Sequence, residues 1–198
     1  LIATQSNTVP AYEGLLYTVF QQLRQNARHG LVVALTSANP GEGVTHSIQA
    51  LTAGLGKDSL ARTLSVDSRR LRALTADPGS LVDLCEPIGP SIFELVRTSA
   101  RSGPHSWESW QYRQDCVQQL RAAFDYVLID CPSLREAGDA LSLAPFVDGV
   151  IMVVEADKTR RDQILHAEKT IEFARGNLIG HILNKRNYLV PDWIYRRL

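Results

Sequence analysis

Five short, mostly apolar runs dominate the sequence: Leu31 to Thr36, Arg62 to Val66, Tyr126 to Ile129, Gly149 to Val154 and Leu178 to Leu183. Runs of four to six such residues match the length of strands buried on both faces. Helical patterns at about 45 to 56, 111 to 124 and 159 to 175 separate them, and strands alternating with helices predict an α/β fold, a mostly parallel sheet covered by helices on both faces. The 198 residues suit one domain. Within it, residues 1–10 read as a flexible lead, 11–26 as an amphipathic helix with Leu15, Leu16, Val19, Phe20 and Leu23 on one stripe, and 99–109 as a Ser-rich surface loop.

In an open parallel sheet ligands gather at the carboxyl ends of the strands. The residues after the first apolar run read Ser37-Ala38-Asn39-Pro40-Gly41-Glu42-Gly43-Val44-Thr45-His46. A phosphate loop of the form G-x-x-x-x-G-K-[ST] lets glycines bring backbone N–H groups onto phosphate oxygens at a helix N-terminus. Gly41, Gly43 and Thr45 fit that form; Ala38 stands at the first position and Val44 at the lysine. The plain alternative is a strand-to-helix turn that needs glycine for its backbone angles. Two further acids, Asp67 and Asp130, follow apolar runs. Buried carboxylates need a partner, which a metal with phosphates would supply. A salt bridge from Asp67 to Arg69 or Arg70, and a helix cap for Asp130, are the structural alternatives.

Charge and cysteine usage narrow the function. Lys plus Arg and Asp plus Glu both number 21, leaving no basic field for a nucleic-acid backbone. No apolar run approaches the roughly 18 to 20 residues of a membrane span. The three cysteines, without a C-x-x-C pair, fit a reducing, cytoplasmic setting. No nucleophile–base or metal-ligand spacing of Ser, Cys and His supports a hydrolase or a metal cluster of that kind.

The segments TSANPGEGVTH (36–46), LSVDSRR (64–70), FDYVLIDCPS (124–133), DALSLAPFVDGVIMVVEADKT (139–159) and GNLIGHILN (176–184) together resemble the bacterial tyrosine kinases of capsule and exopolysaccharide export. Those kinases lie within the deviant Walker-type ATPases that include the cell-division and chromosome-partition ATPases. The resemblance implies a phosphate-loop NTPase-like three-layer fold and a site for ATP or ADP with Mg²⁺. It makes Pro40, Gly41, Glu42, Gly43, Val44, Thr45 and His46 the phosphate loop, Thr45, Asp67 and Asp130 the Mg²⁺ side, Asp67 and Asp130 the catalytic acids, and Asn184 the residue that reads adenine. It also implies a membrane-bound polysaccharide co-polymerase or adaptor as partner, copies of the chain itself as another, and a place at the inner face of the plasma membrane.

The departures from that pattern fall on the chemistry. Val44 replaces the lysine, Arg69 replaces the second acid of an Asp-x-Asp pair, and Leu16 and Val19 replace the arginines of an assembly motif. Only Tyr188 and Tyr195 stand where those kinases carry a tyrosine cluster. Two readings follow: a regulatory or scaffold module with weakened or lost phosphoryl transfer, or an active autokinase or ATPase in which Arg69 or a lysine from elsewhere restores the charge. A DNA-partition role is disfavoured by the zero net charge.

Overall fold

The computed structural model describes residues 2–3, 14, 20, 29–58, 60–73, 81–96 and 107–185. In chain order its elements are β1 (Ile2–Ala3), β2 (Leu31–Ser37), α1 (Val44–Leu55), β3 (Thr63–Asp67), α2 (Ser68–Ala73), a 3₁₀ turn at Val82–Leu84, β4 (Cys85–Pro87), β5 (Ile92–Leu95), α3 (Trp110–Ala123), β6 (Tyr126–Asp130), α4 (Asp139–Leu143), β7 (Gly149–Glu155), α5 (Arg161–Phe173) and β8 (Leu178–Asn184). The strands form one sheet in the order β1-β8-β7-β2-β6-β3-β5-β4, parallel except for β4 against β5. This is the α/β class read from the sequence.

Burial explains the apolar runs. All seven residues of β2 and six of the seven in β7 are buried. Their alternation sends side chains to the two faces of the sheet, each covered by apolar packing. Val32 and Ala34 pack in one cluster that includes Cys116, Val117 and Leu120 of α3, while Leu31, Val33 and Leu35 pack in another with Ile48, Leu51 and Leu55 of α1. Fully burying one such leucine contributes about 2 kcal/mol. At the amino ends of the strands, Asp148 ties three elements together. Its carboxylate accepts from Val32 N at 2.7 Å and from Arg121 Nη2 at 3.0 Å, joining β2, α3 and the start of β7.

Several expected bounds move by a residue or two for visible reasons. The second run yields its strand at Thr63, because Arg62 N donates to the Asp125 carboxylate (2.8 Å) and the Arg62 guanidinium lies 4.9 Å from the ring centres of Phe93 and Phe124. The last helix starts at Arg161 rather than 159, with Gln163 Oε1 accepting from Arg160 N. The flexible lead expected over 1–10 contains the edge strand β1, paired with Ile182 and Leu183. Of the helix expected over 11–26 only Gly14 and Phe20 are described; Phe20 is buried, edge-on to Tyr126. Of the loop expected over 99–109 only 107–109 are described, with Ser109 capping α3 through Tyr112 N. Leu16, Val19, Tyr188 and Tyr195 lie outside the described residues. No helix among the described residues is long and apolar enough to cross a membrane.

Candidate functional site

The connection from β2 to α1 lies at the middle of the sheet, where the chain goes on to β3 on one side and β7 pairs on the other. Such a reversal of strand order opens a crevice at the carboxyl ends of the strands. Two glycines shape the loop there. Gly41 (φ 79°) and Gly43 (φ 100°) both take left-handed backbone angles that a side chain would strain. A Cβ on Gly43 would also sit 1.9 Å from Asn184 Nδ2, so the Asn184 side chain would have to leave its place on the Glu42 carbonyl.

The loop is braced from outside. Glu42 is 2% exposed, and its carboxylate accepts from Ala38 N (3.1 Å), Asn39 Nδ2 (2.9 Å) and Thr159 Oγ1 (2.5 Å). The Glu42 carbonyl accepts from Asn184 Nδ2 at 2.9 Å, and the Gly41 carbonyl from Lys185 Nζ at 2.6 Å. Lys185 also meets the Glu155 carboxylate at 3.2 Å, which Lys158 shares at 3.2 Å. Burial pushes the Glu155 carboxyl up, but the two lysines more than reverse this and hold it below its ordinary value.

In front of the loop lies a cleft of about 230 Å³, lined by Gly41 to Thr45, Asp67, Arg69, Asp130 and the segment Cys131–Ser133 with Glu136. Register places the two acids side by side, since Asp67 of β3 pairs with Asp130 of β6. Asp130 Oδ2 accepts from the Thr45 hydroxyl at 2.7 Å. Burial raises the Asp130 pKa above its ordinary value; the Thr45 hydrogen bond lowers it, the Asp67 charge raises it and the Arg69 charge lowers it, with a net upward shift. The Asp67 carboxylate accepts from Arg69 N at 2.8 Å, so it caps the backbone of α2. Arg70 turns away to Glu94 and to the Leu95 carbonyl. Val44 is 9% exposed; it lines the cleft and also packs in the apolar cluster with Leu35 and Ile48.

The fold thus brings Gly41, Glu42, Gly43, Val44, Thr45, Asp67 and Asp130 to one cleft. Pro40, His46 and Asn184 are not among its lining residues: Pro40 and His46 are exposed, and Asn184 is buried behind the loop. Glu42, expected in the phosphate loop, turns its carboxylate away into a brace, which its place in a Pro-Gly-Glu-Gly turn does not reveal. Sequence reasoning missed two contributors. Lys185 directly follows Asn184, and adjacency to that motif residue was the one available signal. Glu136 accepts from Ser133 Oγ at 2.8 Å and sits three residues past an otherwise legible Asp-Cys-Pro-Ser run. Among the described residues no group of three or more His, Cys, Asp or Glu side chains is placed to hold a metal ion.

No family model matches the chain. It is 24% identical over 198 residues to the tyrosine-protein kinase CpsD of Streptococcus agalactiae, covering 88% of this chain and 85% of that protein. It is 32% identical over 183 residues to the succinoglycan biosynthesis transport protein ExoP of Rhizobium meliloti, covering 78% of this chain and 22% of ExoP. Among solved structures, the kinase domain of the Escherichia coli tyrosine kinase ETK is similar with a TM-score of 0.67 and 17% identity, over 93% of this chain and 78% of that one. The septum site-determining protein MinD from Pyrococcus horikoshii, complexed with Mg-ADP, is similar with a TM-score of 0.61 and 18% identity, over 85% and 76%. At these identities the two structural likenesses bear on the fold, that of the phosphate-loop ATPases.

Proposed function

Because this chain is a homologue of the bacterial tyrosine kinases, we propose that it is a tyrosine-kinase-like nucleotide-binding domain of exopolysaccharide or capsule biosynthesis, with weakened or lost phosphoryl transfer and a regulatory or scaffold role. One observation carries the reading. The Thr45 hydroxyl is hydrogen-bonded to Asp130 beside a loop with two left-handed glycines, while Val44 takes the place of the usual ammonium.

The donor set fits Mg²⁺. Thr45, Asp67 and Asp130 offer hard oxygens on one side of the cleft, and Mg²⁺ typically takes one or two carboxylates and completes its shell with water and phosphate. In this reading Pro40 to His46 form the anion-binding turn, Thr45, Asp67 and Asp130 hold the metal side, and Asn184, expected at the adenine, instead holds the Glu42 carbonyl from behind the loop. A Mg²⁺-bound nucleotide would supply a polarised terminal phosphoryl group. The chain's own contribution is to orient backbone N–H groups, to hold the Thr45 hydroxyl on Asp130, and to keep Asp67 and Asp130 as candidate proton acceptors for an incoming hydroxyl. Among the described lining residues Arg69 is the one cation, against four acids, Asp67, Asp130, Glu136 and the braced Glu42. That balance favours binding that depends on the metal's charge, and weak stabilisation of a transferring phosphoryl group. A polysaccharide co-polymerase or membrane adaptor, or further copies of the chain, would be the partners, at the cytoplasmic face of the membrane.

Calorimetric titration with ADP and ATP, with and without Mg²⁺, tests the reading. Micromolar affinity that vanishes on chelation is expected, and absence of binding by the parent overturns it. In the same assay Val44→Lys should gain about tenfold or more, the worth of one charge-assisted hydrogen bond of about 1.5–3 kcal/mol. The active-autokinase reading is favoured by the position of Arg69 at the cleft, where its charge acts on Asp130. Labelled phosphate on Tyr188 or Tyr195 would decide for it.

A further inference from the structure

The loop's anion-binding capacity depends on which way its peptide planes face, and two consecutive residues at the end of β8 control two consecutive planes. No peptide bond in the described chain is cis. In a trans peptide the carbonyl of one residue and the N–H of the next point in opposite directions. Holding the Gly41 carbonyl therefore fixes the direction of the Glu42 N–H, and holding the Glu42 carbonyl fixes that of the Gly43 N–H. Lys185 Nζ holds the first at 2.6 Å and Asn184 Nδ2 the second at 2.9 Å. Neither residue lines the cleft, whereas Gly41, Glu42 and Gly43 all do.

Lys185 reaches this position through an unfavourable backbone. Its φ is 56°, in the left-handed region that residues other than glycine and asparagine seldom enter. The contact is charge-assisted, and such bonds are shorter and stronger than neutral ones. An ammonium on a carbonyl also polarises the peptide, making the N–H on its far side a better donor. Glu155 at 3.2 Å steadies the lysine without displacing it from Gly41.

We infer that Lys185 is a positioning residue for anion binding: by gripping the Gly41 carbonyl from behind, it aims the Glu42 amide into the cleft and so makes up part of what Val44 cannot supply from the front. The inference rests on the nucleotide reading for its ligand, and its experiment separates the two.

Lys185→Met keeps most of the stem and removes the ammonium; Lys185→Arg keeps a cationic donor. Amide hydrogen exchange on the millisecond scale, measured without ligand, should be faster at Glu42 in Lys185→Met and unchanged across residues 126–130. Mg·ADP affinity in the same variant should fall about fivefold to tenfold, less than a whole charge-assisted hydrogen bond because the ammonium reaches the ligand only through the peptide, and Lys185→Arg should recover most of it. Unchanged exchange at Glu42 overturns the inference, as does faster exchange with unchanged affinity. If the parent takes up no Mg·ADP, the nucleotide reading falls, and the exchange measurement alone then decides whether Lys185 sets the loop.

Discussion

Asp130 is a carboxylate held against its own solvation. Burial and the neighbouring Asp67 outweigh the help from Thr45 and Arg69, so its folded-state pKa lies above its value in the unfolded chain. The sign of the pH effect follows: between the two values the folded protein binds more protons than the unfolded one, so stability falls as pH rises through that window and stays lower above it. Asp130→Asn should remove this fall. Urea denaturation at successive pH values would then show a variant more stable than the parent at neutral pH, and a flatter profile from mildly acid pH upward. The same substitution should weaken Mg·ADP binding, because an amide is a poor substitute for a carboxylate near Mg²⁺. Gain in stability with loss of binding is the pattern expected where a group is kept for chemistry rather than for the fold.

At the level of elements, the loop between β2 and α1 and the end of β8 are one fitted piece. Gly43→Ala should be damaging twice over, through its φ of 100° and through the clash of a new Cβ with Asn184 Nδ2. A loss of roughly 2 kcal/mol or more is expected from a strained left-handed residue with displaced packing, read as a lowered midpoint of thermal unfolding. Adding Asn184→Ala should recover only the steric part. The strand-to-helix turn was legible from Gly41 and Gly43 because they directly follow a buried apolar run and open a helical pattern. What lies behind it was not: Glu42, Thr159, Asn184 and Lys185 meet across 117 to 144 residues of chain, and no local pattern encodes such a meeting. The short elements α2, α4, β4 and β5 escaped for another reason. With three to six residues each they show less than two helical turns or a single alternation, too little for a period to stand out.

Across the whole molecule, the candidate site and the Asp148 anchor sit at opposite ends of the strands. The acids of the cleft end β3 and β6, whereas Asp148 precedes β7 at the other end and joins Val32 N to Arg121. Asp148→Ala leaves a buried backbone N–H and a guanidinium without that acceptor, and should cost about 2–4 kcal/mol. Denaturant titration would register the loss, and Mg·ADP affinity measured well below the unfolding midpoint should stay at the parent value. The parallel sheet and its two covered faces were readable in outline, because short continuous apolar runs alternating with helical patterns fit strands covered on both faces.

Glu42 has a corollary of another kind. Its hidden carboxylate ropes the turn to Thr159 at the threshold of α5, while its carbonyl is moored to β8. A guest lodged among the turn's amides would therefore share that turn with a tether to the entrance of α5, and a change at Thr159 should be felt in how tightly the guest is held.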